Sequence, residues 1–283
     1  MIQGRCLCGA VRYEVDGPIV DMVHCHCSMC RKHHGTPYAT WAAAPLAGFR
    51  YTAGEAEIGR YASSPGHQRS FCTHCGSVTP ERLEEMGLVI MPAGNLEGDL
   101  GVRPSKHMFV ASKAPWHEIT DDLPRHDEYP PEFGLTATPR EPVAAGGDGV
   151  HGSCLCGGTA WRIGGKPMRM YYCHCSRCRL GRSAAHASNI FYNAEGFEWL
   201  RGAELVRDFH LPEAQFFGTA FCGRCGSEVP RVSTERNFAL VPAGSLDDDP
   251  GIRVQAHIFV DSRADWDPIT DTVPQFAGMP PRR

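Results

Sequence analysis

All 14 cysteines of this chain fall into three short motifs, and each motif is written twice. The first copy carries Cys6 and Cys8 in "CLCG", then Cys25, Cys27 and Cys30 in "CHCSMC", then Cys72 and Cys75 in "CTHCG". The second carries Cys154 and Cys156, then Cys173, Cys175 and Cys178, then Cys222 and Cys225. The surroundings repeat with them. "GRCLCGAVRYEVDGP" from Gly4 returns as "GSCLCGGTAWRIGGKP" from Gly152, and "PAGNLEGDLGVRPSKHMFVASKAPW" from Pro92 returns as "PAGSLDDDPGIRVQAHIFVDSRADW" from Pro242. Between the triplet and the last pair the second copy is two residues longer, in the stretch matching Tyr61 to Phe71. A repeat of this length is a duplicated domain, far longer than a solenoid unit. The expected division is a first domain at 1–131, a linker at 132–150 rich in Pro, Gly and Ala, and a second domain at 151–283.

A length of 283 residues lets each of two domains bury a core of its own. The formal net charge of −4 gives no electrostatic case for nucleic acid or an anionic membrane as partner. No apolar run has the length of a membrane span. The opening "MIQGRCLCGAVRYEV" lacks the pattern of a signal peptide, which sets the expectation of a cytoplasmic protein whose cysteines stay reduced. In that compartment 14 thiols point to metal before disulfides.

The expected fold class is all-β, two tandem loop-rich zinc-binding domains with coiled sheets. "AVRYEV", "YATWAA", "NIFYN", "MFVAS" and "HIFVDS" are short β-branched or aromatic segments bounded by turn residues. Only "PERLEEMG" has a helical look, and 31 glycines with 22 prolines argue against long helices. Domains of this size and looseness gain from metal staples.

Seven cysteines per copy divide as four plus three. The pairs Cys6/Cys8 and Cys72/Cys75 are each followed by a glycine that lets backbone amides turn toward sulfur. Together they make a closed four-thiolate set of the structural zinc type, as do Cys154, Cys156, Cys222 and Cys225. Cys25, Cys27 and Cys30, and in copy two Cys173, Cys175 and Cys178, supply three ligands and leave a fourth position open, as reactive zinc sites do. Arg31 and its counterpart Arg179 follow the triplets and could offset their charge or grip a carboxylate. Two other readings stand beside this one. A histidine such as His26 or His107 could close the triplet into another structural site, or the C-x-x-C could work as a redox dithiol.

"GRCLCGAVRYEVDGP", "CHCSMCRKHHG", "YASSPGHQRSFCTHCGS" and "PAGNLEGDLGVRPSKHMFVASKAPW" resemble, in order and spacing, the glutathione-dependent formaldehyde-activating enzyme family, which includes the centromere protein V group. The resemblance covers nearly all of copy one and, with gaps, copy two. It implies an Mss4-like all-β zinc fold, a structural zinc in each four-cysteine set and a second, catalytic zinc in each triplet. It also implies a carbon–sulfur lyase or thiol-adduct synthase that joins formaldehyde to glutathione, with up to two zinc ions per domain and a small thiol as co-substrate. The same resemblance allows a zinc-stabilised, non-catalytic binding module.

The copies differ where a substrate would sit. Arg69 has Thr219 as its counterpart, Lys106 has Ala256, and Trp41 has Asn189. Loss of basic residues favours copy one for catalysis on an anionic thiol, against the plain alternative of surface drift between duplicates. Thr219 is expected to matter little. Trp116 and Trp266 read as core anchors, and His107 and His257 as structural histidines.

Overall fold

The computed structural model describes residues 1–65, 67–137 and 147–281; the middle of the expected linker, 138–146, lies outside the described residues. The chain is mostly strand, in small sheets repeated in each copy. Copy one opens with a three-stranded antiparallel sheet of Ile2–Arg5, Arg12–Val15 and Phe49–Ala53. A five-stranded sheet follows the order Lys106–Met108, Asp21–Cys25, Ala39–Pro45, Leu88–Pro92, Glu81–Leu83, with only the first pair parallel. Copy two repeats both sheets and adds Gln275–Phe276 at the edge.

A hairpin carries the last cysteine pair to its place. In copy one it is Ile58–Ser64 with His67–Cys72; in copy two it is Val206–His210 with Gly218–Cys222. The two extra residues of copy two fall at the tip of that hairpin, where insertion disturbs least.

Two seven-residue helices, α1 (Ser28–His34) and α2 (Ser176–Arg182), start inside the triplets. Cys27 and Cys175 are the N-caps, each accepting from the backbone N–H three residues on. "PERLEEMG", by contrast, is not an α-helix: Glu81–Leu83 pairs with Leu88–Pro92 and Glu84–Met86 forms one 3-10 turn. Its helix formers are overruled because the ladder with Leu88–Pro92 satisfies their backbone, and Gly87 in the left-handed region turns the chain back. "MFVAS" and "HIFVDS" are strands only at their starts. Phe109 and Phe259 take positive φ and divert each chain into a 3-10 turn. Cys6 and Cys8 lie in a turn after Ile2–Arg5 rather than along a strand.

The expectation of two self-contained cores does not hold. Trp266 of copy two packs in the core of copy one with Tyr13, Met22, Val89 and Met91. Trp116 of copy one packs in the core of copy two with Met170, Ile190, Tyr192 and Val241. Both tryptophans are anchors, each 2% exposed, but of the other copy. The same reciprocity runs through the rest of the contact. The ends of α1 and α2 sit on Gly244 and Gly94, where a Cβ would lie 2.3 Å from Thr36 N and 2.2 Å from Ala184 N. Phe221 covers Gly76 and Phe71 covers Gly226, leaving no room for a side chain at either glycine. The duplicated halves therefore form an interlocked, pseudo-twofold pair. No helix among the described residues is long and apolar enough to cross a membrane.

Candidate metal centres

Four groups of sulfur atoms stand within 4.8 Å of one another: Cys6, Cys8, Cys72 and Cys75; Cys154, Cys156, Cys222 and Cys225; and the two triplets. In the four-cysteine sets the closest Sγ pairs are 3.4 and 3.7 Å apart in copy one and 3.4 and 3.9 Å in copy two. Tetrahedral zinc with Zn–S of about 2.3 Å requires sulfur–sulfur edges of about 3.8 Å, so the spacing fits that ion. It is far too long for disulfides, whose S–S length is about 2.05 Å. Backbone amides point at the sulfurs: Val11 N–H donates to Cys6 Sγ, Thr159 N–H to Cys154 Sγ, and Gly158 N–H to Cys156 Sγ. Such donors stabilise thiolates and are what the turn after the first cysteine pair of each copy provides.

The four-thiolate sets are also tied to the opposite copy by hydrogen bonds. Ser77 Oγ, beside Cys75, accepts from Leu7 N–H and donates to the carbonyl of Leu180 in α2. Thr219 Oγ1 donates to the Cys75 carbonyl at 2.8 Å across the buried interface. Thr219 is thus not an inert replacement for Arg69 but a strut under the other copy's metal knuckle. Lys32 Nζ, buried in α1, reaches Ser153 O and Oγ at 2.8 Å and Asp247 Oδ1 at 2.5 Å.

The triplets are built at a strand end and a helix start. Cys25 closes Asp21–Cys25, Cys27 caps α1, and Cys30 sits in its first turn, so the three sulfurs converge. Among the described residues no His, Asp, Glu or further Cys joins either triplet within 4.8 Å. His26 points elsewhere, its Nε2 hydrogen-bonded to His107 Nδ1 at 2.8 Å, which follows from alternation along the strand.

In copy one Arg69 Nη1 donates to Cys30 Sγ at 3.4 Å, and its guanidinium lies 6.0 Å from the Trp41 ring centre. Burial pulls Arg69 down, but Cys30 and Cys27 more than offset this and hold it firmly charged. Cys30 is held well below the ordinary thiol range by hydrogen bonding to Cys25 and Cys27, and Arg69 adds to the effect. Arg31 is mostly buried near Cys27 and Asp247, with Nε unpartnered. Lys106 is not free for a substrate, since it pairs with Glu132 at 2.8 Å and Asp21 at 3.5 Å.

Copy two keeps the sulfurs and changes the frame. Cys173 and Cys175 are 3.6 Å apart, and Cys175 is pushed down to about 3 by hydrogen bonds from Cys173 and Cys178. A buried Arg182–Glu228 pair with Asn189 stands where copy one has His34, Val78 and Trp41. Burial pushes the Glu228 carboxyl up to about 8, against the pull of Arg182. Sequence reasoning missed Arg182 because its counterpart is a histidine. Cover also differs. The copy-one triplet is almost sealed, at 2%, 7% and 1% exposure, beneath a cluster that includes Tyr129 and Phe133 from the expected linker border. Cys175 is half-buried, and the residues matching Tyr129 and Phe133 are Met279 and Arg283, of which the latter lies outside the described residues.

Comparison with known proteins gives this site a family. The model of the glutathione-dependent formaldehyde-activating enzyme family matches residues 1–112 and again 149–262. A Halomonas elongata protein provisionally named a glutathione-dependent formaldehyde-activating enzyme is 34% identical over 131 residues, which is 42% of this chain and 81% of the relative. A Schizosaccharomyces pombe protein named an uncharacterized lyase is 30% identical over 80 residues, 26% of this chain and 53% of the relative. A solved Rhodobacter sphaeroides protein is 29% identical over 34% of this chain and 89% of its own, with a TM-score of 0.29. With both copies matched along most of their length, the chain belongs to the glutathione-dependent formaldehyde-activating enzyme family.

Proposed function

We propose that the protein is a zinc-dependent carbon–sulfur lyase or thiol-adduct synthase, joining a small thiol of the glutathione type to formaldehyde or a similar aldehyde. The observation that carries this reading is the pair of three-sulfur groups with no fourth His, Cys, Asp or Glu donor among the described residues, beside two complete four-sulfur groups. A scaffold needs only closed sites; an open position has a use in chemistry. Family membership and the lyase-named relative support the same class.

When bound, zinc at the triplet makes a thiol acidic enough to ionise at neutral pH and polarises a carbonyl oxygen. The residues of copy one supply the rest. Arg69 keeps one positive charge 3.4 Å from Cys30, so that a further anionic sulfur meets less repulsion. Trp41, Met108, Phe109 and Tyr129 surround the sulfurs and exclude water, which strengthens that charge interaction. In the reaction the thiolate sulfur forms a bond to the aldehyde carbon, the carbonyl π pair moves to oxygen, and that oxygen takes a proton. The reverse reaction is the lyase.

The zinc-loaded protein, mixed with formaldehyde and glutathione, should raise the rate of hydroxymethyl thioether formation followed by NMR exchange. Cys27→Ala should remove the acceleration, and Arg69→Ala should cut it at least tenfold with zinc retained. Acceleration lost only in Cys175→Ala would move the reaction to copy two. No acceleration by the wild type would refute the activity and leave the binding-module reading in its place.

A further inference from the structure

The two copies meet around a chamber of about 370 Å³, walled by residues of both. Six of the 14 histidines line it: His24, His107, His117, His174, His186 and His257. It lies behind the triplets, because His24, His26 and His174 alternate with the cysteines along the chain and project to the opposite face.

A three-residue chain of hydrogen bonds recurs in each half. Asp121 accepts from His107 Nε2–H at 3.0 Å, and His107 Nδ1 lies 2.8 Å from His26 Nε2. Asp271, His257 and His174 repeat it at 3.0 and 2.9 Å. The carboxylates fix the tautomers. With Nε2–H of His257 given to Asp271, its Nδ1 must accept, so His174 donates through Nε2 and is left with a bare lone pair on Nδ1. That nitrogen is buried and has no hydrogen-bond partner, as has His26 Nδ1.

The halves diverge at what faces this lone pair. Copy one places His117 beside His26, with ring centres 5.9 Å apart. The matching residue of copy two is Asp267, whose Oδ2 lies 3.8 Å from His174 Nδ1. Asp267 is 5% exposed and His174 is fully buried. Burial pushes Asp267 up to about 7 against the pull of Arg263 and Arg179. With Asp267 ionised, two electron-pair acceptors confront each other in the buried wall of the chamber, an arrangement that costs free energy unless a cation or proton fills it.

We infer that the chamber binds one divalent first-row transition-metal ion, held by His174 Nδ1 and Asp267, at a site separate from all four cysteine groups. Metal–nitrogen and metal–oxygen bonds of about 2.1 Å can bridge 3.8 Å, and an imidazole with a carboxylate suits such ions. His186 is a further donor close by: its ring centre is 5.1 Å from that of His174. Its Nδ1 faces Ser188 Oγ at 3.3 Å, which leaves Nε2 for the ion. Among the described residues only cysteine groups bring three donors within 4.8 Å, so the ion recruits His186 by a ring rotation and completes its shell with water. The Asp271–His257 pair then acts as the outer shell that orients His174. This inference does not rest on the proposed reaction.

The test adds Co²⁺ to the zinc-filled full-length protein and follows native mass and optical absorption. One cobalt beyond the zinc complement should bind, giving ligand-field absorption without the intense thiolate-to-cobalt band that cysteine sites produce. Asp267→Asn should abolish that uptake, Asp271→Asn should weaken it about 10–100-fold, and Asp122→Asn at the chamber rim should leave it unchanged. No extra cobalt, a growing thiolate band, or equal loss in the Asp267 and Asp122 variants would each overturn the site. The first result would mean that Asp267 and His174 share a proton instead.

Discussion

Replacing Trp266 by alanine removes a side chain that belongs by sequence to copy two and by packing to copy one. The indole is 2% exposed among Tyr13, Met22, Val89, Met91 and Ala185. Large-to-small changes at buried tryptophans cost about 3–5 kcal/mol through lost transfer energy and the cavity left behind. About 4 kcal/mol accelerates exchange of amides that open with that core nearly a thousandfold, at tenfold per 1.4 kcal/mol. Hydrogen exchange read by mass spectrometry should show this loss first in Ala39–Pro45 and Leu88–Pro92 of copy one, the strands under the indole. Trp116→Ala should show the mirror result in Ala187–Tyr192 and Phe238–Pro242. Deprotection confined to the copy that carries each substitution would refute the exchange of anchors and restore two independent cores.

Other consequences are as specific. Cys75→Ala should cost fold and zinc together, because structural zinc contributes folding free energy directly, whereas Cys27→Ala should keep the fold and lose only labile zinc; circular dichroism with chelator titration separates them. Thr219→Ala leaves the buried Cys75 carbonyl without its 2.8 Å donor and should lower stability by about 1–3 kcal/mol in thermal or denaturant unfolding; no change would mean that water replaces the hydroxyl. Asp267 sets a pH dependence in protein free of chamber metal. Its folded value of about 7 lies above the ordinary 3.8, so the folded state binds more protons between those values. Stability from this group is therefore full below about pH 4, falls as pH rises, and is lost above about pH 7. Asp267→Asn should flatten that slope and raise stability at pH 8 by about 1–3 kcal/mol, and an unchanged slope would contradict the burial argument.

The duplication, the all-β class and the four-plus-three division of cysteines were legible because ligand chemistry imposes spacing on sequence. The two sets of four and two sets of three lie together in space as their order suggests. The exchange of Trp116 and Trp266 was not legible. Hydrophobicity says that a residue is buried, not which copy it is buried against, and identical motifs make both partners look equal. The helices were missed for a different reason. Seven residues are too few to show helical periodicity, and what starts α1 is a cap by Cys27, a residue already read as a ligand. "PERLEEMG" failed in the opposite direction, with local propensity overruled by pairing to Leu88–Pro92. The chamber escaped notice because each histidine is unremarkable alone; only the interlocking brings six of them to one cavity.

The central claim is that each copy holds one closed four-thiolate centre and one three-thiolate centre with room for an outside ligand. Cadmium NMR of the ¹¹³Cd-substituted protein reads it most directly, since the cadmium shift reports how many sulfurs bind each ion. The account predicts two classes of resonance, four-sulfur and three-sulfur, with each copy contributing one of each. Added glutathione should move only the three-sulfur class, toward the four-sulfur position. A single four-sulfur class before any thiol is added, or a three-sulfur class indifferent to glutathione, would contradict it.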